Sequence, residues 1–380
     1  MSEWKKVTLD QMGIISRGKS KHRPRNDARL FGGRYPFIQT GDIGTAGLYV
    51  IEYSQTYNEE GLAQSKLWEK DTLCITIAAN IADTALLAFP ACFPDSVMGF
   101  IPYDNIANVK FVKYCFDILQ RDCQQISQGT AQDNLSWKKL STILFPCPPI
   151  GVQNKIADIL SRYDSLIENY QKQIKLLEES AQRLYKEWFI DLRFPGHENT
   201  KIVDGLPEGW EKKKVGDLIS KIQRTMQVSA NNYQISGLYP VIDQSRNYIA
   251  GYTDESECVL NVTIPYIVFG DHTRVLKYVP FSFAKGADGT QLIMSNDLER
   301  MPQSLFYDSL IEIDLSNYSY ARHFKYLKEE YILVPSKDIA QRYDKVVSQY
   351  FQSIQKTREQ IRHLTEARDR LLPKLMSGEI

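Results

Sequence analysis

This chain lacks the pairs of cysteines that mark zinc or redox motifs. Its six cysteines, Cys74, Cys92, Cys115, Cys123, Cys147 and Cys258, include no C-x-x-C, so free thiols in a reducing cytosol are expected. Five histidines, His22, His197, His272, His323 and His363, are scattered without metal-ligand spacing. No apolar run approaches the ~20 residues that span a bilayer. The opening MSEWKKVTLD has no apolar stretch of the signal-peptide kind. A cytoplasmic chain without membrane contact is therefore expected. An excess of charge is also missing, since 46 Lys+Arg face 46 Asp+Glu. That excludes a lone generic nucleic-acid coater, which would be basic. It leaves open a chain that reads DNA while a partner supplies charge. Catalytic motifs are missing too. CPPI (Cys147 to Ile150) lacks both the Asn and the aromatic of an adenine-methyltransferase N-P-P-Y, and no G-x-x-x-x-G-K-[ST] phosphate loop occurs. Glu211 with Lys213, and Glu3 with Lys5, form short E-x-K runs beside a Trp but have no paired upstream Asp. We read them as incidental.

What the chain does have is an internal repeat at about half its length. Trp4, Leu9 and Met12 recur as Trp210, Val215 and Leu218. GRYPFIQ recurs as GLYPVID, Pro90 and Phe93 as Pro280 and Phe283, and TILFP as YILVP. The matches keep chain order, and the distance between copies shrinks along the chain, as for a second copy with shorter loops. Each copy ends in a heptad seam. In the first copy it is Ile156, Leu160, Tyr163, Ile167, Tyr170, Ile174, Leu177, Ala181, Leu184 and Trp188. In the second it is Tyr343, Val347, Tyr350, Ile354, Thr357, Ile361, Leu364, Arg368, Leu371 and Leu375. Spacings alternating four and three over more than four heptads predict one long helix per copy. Asp158–Arg162, Glu168–Lys172 and Glu179–Arg183 are acid-before-base pairs on a solvated face.

Prolines in PCPPIGVQ precede the first helix, and Pro195 and Gly196 follow it. Pro373 is expected to kink or stop the second near Leu372. Short β-rich runs (YPFIQ, LCITI, YPVID, VLNVTIPYIVF, RVLKYVPFSF) and one short helix, with Val112, Cys115, Phe116 and Leu119 on one face, fill the rest. The reading is α+β: two globules alternating with two long helices, which pack as an antiparallel coiled coil with pseudo-two-fold symmetry. The boundaries are 1–149 for the first globule, 150–192 for the central helix, 193–336 for a linker and the second globule, and 337–380 for the C-terminal helix. Thr357 and Arg368 weaken the second seam, so part of it is expected to face another subunit. Seams this long span roughly 50 Å, against about 3.4 Å per base pair of duplex. Two globules at the ends of such a rod would reach one duplex a helical turn or more apart.

These residues resemble the specificity subunits of Type I restriction–modification systems, over the whole chain. The most specific piece is ARDRLLPKLMSGEI (Ala367 to Ile380). YPFIQTGDI, SQGTAQDNLSWKKL, PCPPIGVQNKIADIL and GDHTRVLKYVPFSFAKGADGTQLI also match. The resemblance implies that each globule is a target recognition domain reading one half of a split, asymmetric sequence in double-stranded DNA. It implies that the helices set the gap and dock two methyltransferase (M) subunits, with restriction (R) subunits completing a host-defence complex. It also implies no catalysis and no cofactor in this chain, S-adenosylmethionine being bound by the methyltransferase partner. Two other classes stay open. One is a single-chain DNA methyltransferase or nuclease with an unrecognised site. The other is a coiled-coil adaptor binding proteins rather than DNA.

Arg to guanine and Asn or Gln to adenine are the usual bidentate base contacts. Candidates in the first copy are the alternating cations of SRGKSKHRPRN, namely Arg17, Lys19, Lys21, Arg23 and Arg25, then Arg29, Arg34, Gln39 and Thr40. Gln132, Asn134, Ser136 and Lys138 follow. The second copy offers Gln244, Arg246 and Asn247 in DQSRNY, His272 and Arg274 in GDHTR, and Arg322 and His323 in ARHF. The cation cluster is absent from the second copy's matching KIQRTMQVSAN, so it is not part of the repeated scaffold. By composition alone it fits a phosphate contact or a solvated loop. Its period-two spacing would aim all five cations one way from a strand, and Pro24 makes a loop equally compatible. Trp4, Trp210, Tyr35, Pro36, Tyr239 and Pro240 recur and are read as scaffold. Helix packing or partner docking falls to Ile156, Leu160, Tyr163, Ile167, Ile174, Leu177, Leu184, Tyr350, Ile354, Ile361, Leu364 and Leu371.

Overall fold

The computed structural model describes residues 4–77, 82–126, 140–222, 225–318 and 322–380. It divides into two compact units, Met1–Gln171 with Gln360–Ile380, and Lys172–Glu359. The repeat is visible inside each. After Trp4, Lys5–Val7 pairs antiparallel with Phe145–Cys147. After Trp210, Glu211–Lys214 pairs antiparallel with Tyr331–Val334. TILFP and YILVP thus each return to the strand that opens their own globule. A Tyr-Pro strand in each copy also runs parallel to a short strand beside the repeated Pro-Phe pair. Phe37 lies opposite Cys92, and Val241 opposite Ala284.

The first unit stacks a five-stranded sheet, ordered Gly13–Arg17, Val97–Pro102, Leu73–Thr76, Thr84–Leu87, Tyr49–Val50, with a four-stranded one. Trp68 belongs to the second sheet and packs with Cys74, Ala85 and Val97 of the first, stacked on Phe93 at 4.8 Å. Gly99 makes room for it: a Cβ there would meet the indole at 2.5 Å. The helix Val109–Ile126 buries Val112, Cys115 and Phe116, the face its spacing predicts. In the second unit the sheets are smaller, with four strands and three. The corresponding helix is Gln303–Ile311, which the apolar periodicity did not disclose.

The two long helices are Ile150–Tyr185, closing in a π-helical turn at Lys186–Ile190, and Lys337–Ser377. No described helix is long and apolar enough to cross a membrane. None of the twenty seam positions is exposed. Within the first unit Ile156, Ala157 and Leu160 share a core with Leu372, Leu375 and Met376, and Asp164 meets Arg368. Within the second, Glu178 meets Arg358 and the Ala181 carbonyl meets the Tyr343 hydroxyl. Residue numbers rise along one helix as they fall along the other, so the packing is antiparallel in each unit. A glutamine ties down the start of each helix, buried Gln153 in the first and exposed Gln341 in the second. The Gln153 amide donates to the Ile106 and Pro148 carbonyls at 2.9 Å and accepts from the Asn108 N–H. Gln341 donates to the Glu299 carbonyl at 2.8 Å.

Two seam expectations change. Arg368 turns into the helix pair, where its guanidinium donates to Asp164 at 2.6 Å while Tyr114 donates to the same carboxylate. Thr357 is buried, its hydroxyl returned to the Ser353 carbonyl. Pro373 does not stop the helix, which runs on to Ser377. Proline deletes one backbone bond, and buried Leu372, Leu375 and Met376 hold the last turn regardless. Gly378, at φ +73°, then ends it. Replacing Arg368 by Ala strips a nearly buried carboxylate of its cation. A loss of about 2–4 kcal/mol is expected, with less loss in Arg368→Met/Asp164→Asn, measured by urea unfolding.

In the second unit Asp308, 2% exposed, accepts from the Tyr343 hydroxyl at 2.7 Å. Burial pushes its carboxyl up to about 7. The folded state therefore holds a proton that the unfolded chain releases near pH 4. The stability this gives is full below about pH 4 and is lost as pH rises through about 7. Asp308→Asn should abolish that slope. Relative to wild type, the variant should gain about 2–3 kcal/mol between pH 5 and pH 8, read from paired denaturation curves.

Candidate nucleic-acid interface

In the first unit the strand Gly13–Arg17 lies at the sheet edge and leads into the cation-rich segment. Beyond Arg17 that segment is an irregular loop rather than a strand. Its backbone is pinned. Gly18 N–H donates to the Val97 carbonyl and Lys19 N–H to Phe93. The Ser65 hydroxyl donates to the Lys19 carbonyl, and Gln64 accepts the N–H groups of Lys21 and His22. Gly18 permits the approach, since a Cβ there would sit 2.3 Å from the Pro94 carbonyl.

The five cations then separate into two sets. Arg25 contacts Asp95 at 2.5 Å and Arg23 reaches it at 3.8 Å, while Arg23 also donates to the Ser20 and His22 carbonyls. Arg17, Lys19 and Lys21 are exposed, with no side-chain partner among the described residues. Arg29 is tied to Asp27, whose carboxyl Arg29 and His22 hold well below the usual carboxylate range. Arg34 is exposed but bonded to Glu59 and the Tyr35 hydroxyl. Gln39 caps the short helix Thr40–Thr45 and donates its amide to Gln55 at 2.7 Å. Gln132, Asn134, Ser136 and Lys138 lie outside the described residues.

In the second unit the structure brings together the three segments singled out by composition. The Thr273 hydroxyl donates to the Gln244 carbonyl, and the Gln244 amide donates to the Asp288 carbonyl at 3.0 Å while accepting the His272 N–H at 3.1 Å. His323 places its N–H and its ring Nδ1 both 2.9 Å from the Asp271 carbonyl, and the Asp271 carboxylate accepts the Phe324 N–H. Gly289, at φ +85°, leaves the space that Gln244 fills. Gln244 and His323 (5% exposed) are thus internal braces in this structure. Arg246, Asn247, His272, Arg274 and Arg322 are exposed around them. Arg274 sits at φ +61° and donates to the Leu315 carbonyl at 3.1 Å.

Two residues escaped the sequence reading. Lys277 is 4% exposed, with its ammonium on the Asp243 and Asn247 carbonyls. Its signal was present: in RVLKYV it shares the period-two face of Val275 and Val279, where a charge is out of place. Arg358 stacks 3.7 Å above the Tyr248 ring while holding Glu178. No pattern in the seam points to that contact. Both residues line a cleft of about 260 Å³ together with Arg246 and Tyr278.

Exposed polar and basic loops on small sheets, set within each unit against stretches of the two long helices, define a class of repeat-built protein. Residues 1–179 match the family described as Type I restriction modification DNA specificity domain. The MjaIX specificity subunit of Methanocaldococcus jannaschii is 26% identical over all of this chain and 94% of its own length. The EcoR124I/EcoR124II specificity subunit of Escherichia coli is 27% identical over 50% of this chain and 48% of its own. The crystal structure of a Type I S subunit from M. genitalium shares the fold, with TM-score 0.58 at 17% identity, over 98% of this chain and 96% of that one. The first part of the chain thus matches the family's DNA specificity domain, and the whole chain is similar to specificity subunits of Type I restriction–modification systems.

If Gln244 is a brace, Gln244→Ala should free the His272 and Asp288 backbones. We expect about 1–3 kcal/mol lost and faster hydrogen exchange at His272, with the seam amides unchanged.

Proposed function

We propose that this chain is the DNA-reading subunit of a Type I methyltransferase and restriction complex, without chemistry of its own. Each globule reads one half of a bipartite, asymmetric duplex target. The helical pair sets the gap and docks two methyltransferase subunits. S-adenosylmethionine binds those partners, and restriction subunits join them. The observation that carries this reading is the contrast inside one repeat. In both copies the strand after the repeated Trp pairs with the strand before the long helix, and each copy ends in a heptad seam, while the exposed loops differ. Scaffold likeness suits a common partner, and loop difference suits two unlike half-sites.

Arg17, Lys19 and Lys21 serve as phosphate contacts, because among the described residues no acid is paired with them. Arg23 and Arg25 must first leave Asp95. Replacing Arg17, Lys19 and Lys21 together by Ala should lower the slope of log affinity against log salt by about 2–3. Arg23→Ala with Arg25→Ala should change it less. The decisive test exchanges residues 1–149 for those of a relative. One half-site should change and the other persist. Unchanged specificity in a folded, active exchange would refute the assignment of one globule to one half-site.

A further inference from the structure

We propose that Lys277 is a positioning residue for recognition by the second globule: its buried ammonium fixes the loop that presents Arg246 and Asn247 to DNA. The proposal rests on the reading of that globule as a half-site reader. Lys277 lies in the strand Leu276–Val279, opposite Val268 of the neighbouring strand. Its Nζ donates to the Asp243 carbonyl at 2.8 Å and the Asn247 carbonyl at 2.5 Å, and the Asp243 carboxylate stands 3.7 Å away. These carbonyls bound the loop at its two ends. Between them Ser245 N–H donates to Asp243, and the Gln244 carbonyl takes the Thr273 hydroxyl. The loop's Asp243, Gln244 and Asn247 carbonyls are therefore satisfied from below, the buried Ser245 hydroxyl is left without a partner among the described residues, and Arg246 and Asn247 remain exposed.

An ammonium suits this task. It is a compact charge with three donors that can face carbonyls in different directions. Burying it without need would be costly, yet the corresponding strand of the first copy, Thr84–Leu87, is buried throughout and uncharged. The clamp is thus a feature of one half-site reader and not of the repeated scaffold. Burial lowers the Lys277 ammonium to about 8, Asp243 working against the fall. The charged groups sharing its cleft are Arg246, Asp308, Glu178 and Arg358.

The test uses the full chain assembled with its methyltransferase partner, and duplexes carrying the bipartite site with one base pair changed at a time. Lys277→Met should lose about tenfold or more of its discrimination at those second-half-site positions that Arg246→Ala or Asn247→Ala also loosens. First-half-site discrimination in the same complex should stay as in wild type, which also reports assembly. In wild type, second-half-site discrimination should decline from pH 7 to pH 9. Lys277→Met should flatten that decline, and Asp308→Asn should retain it. Full discrimination by Lys277→Met, or a flat wild-type profile where the variant does not assemble, overturns the clamp. Absence of any split-site preference in wild type overturns the recognition reading itself.

Discussion

Everything else in this structure depends on the burial of the helical seam. Each long helix carries an apolar stripe about two residues per heptad wide, too narrow to form a core alone. Its burial needs the other helix, and in each unit the antiparallel pair also supplies one wall of the globule's core. Several polar groups at or beside the stripe are matched, Asp308 from the neighbouring helix Gln303–Ile311 among them. Asp164 meets Arg368 and Tyr114, Glu178 meets Arg358, and Asp308 meets Tyr343. Removing one member of such a buried pair costs more than the pair contributes, so these sites favour one register over its neighbours.

On that frame the loops carry much of the polarity, and they use a good part of it internally. Gln244, His323 and Lys277 satisfy backbone groups and so fix where Arg246, Asn247, His272 and Arg322 stand. The same economy holds in the first unit. Asp95 and Asp27 neutralise part of a basic segment, and Arg17, Lys19 and Lys21 remain open to solvent. A chain of zero net charge can thus present local positive charge without being basic overall.

The sequence disclosed the scaffold well because periodicity survives folding. Seam positions from Ile156 to Leu375, Thr357 and Arg368 apart, read as apolar every three or four residues, and all are at least partly buried. The two copies could be aligned because Trp4, Trp210 and the proline-bearing strands occupy positions a scaffold cannot vary freely. The loops were less legible. Gln244 and Asn247 are both polar residues of one segment, and only the structure separates the brace from the exposed side chain. Arg368 looked like a fault in the seam because its partner, Asp164, lies on the other helix, far away in sequence. Pro373 looked like a stop because local propensity ignores the tertiary packing of the final turn.

The central claim is that this chain directs modification to one split DNA target. Its most direct test is methylome sequencing of a host strain with and without the chain, the methyltransferase partner being present in both. The account predicts that methylation at a single bipartite, asymmetric motif disappears without the chain and returns with it. An unchanged methylome, or loss at a continuous motif with no gap, would contradict it.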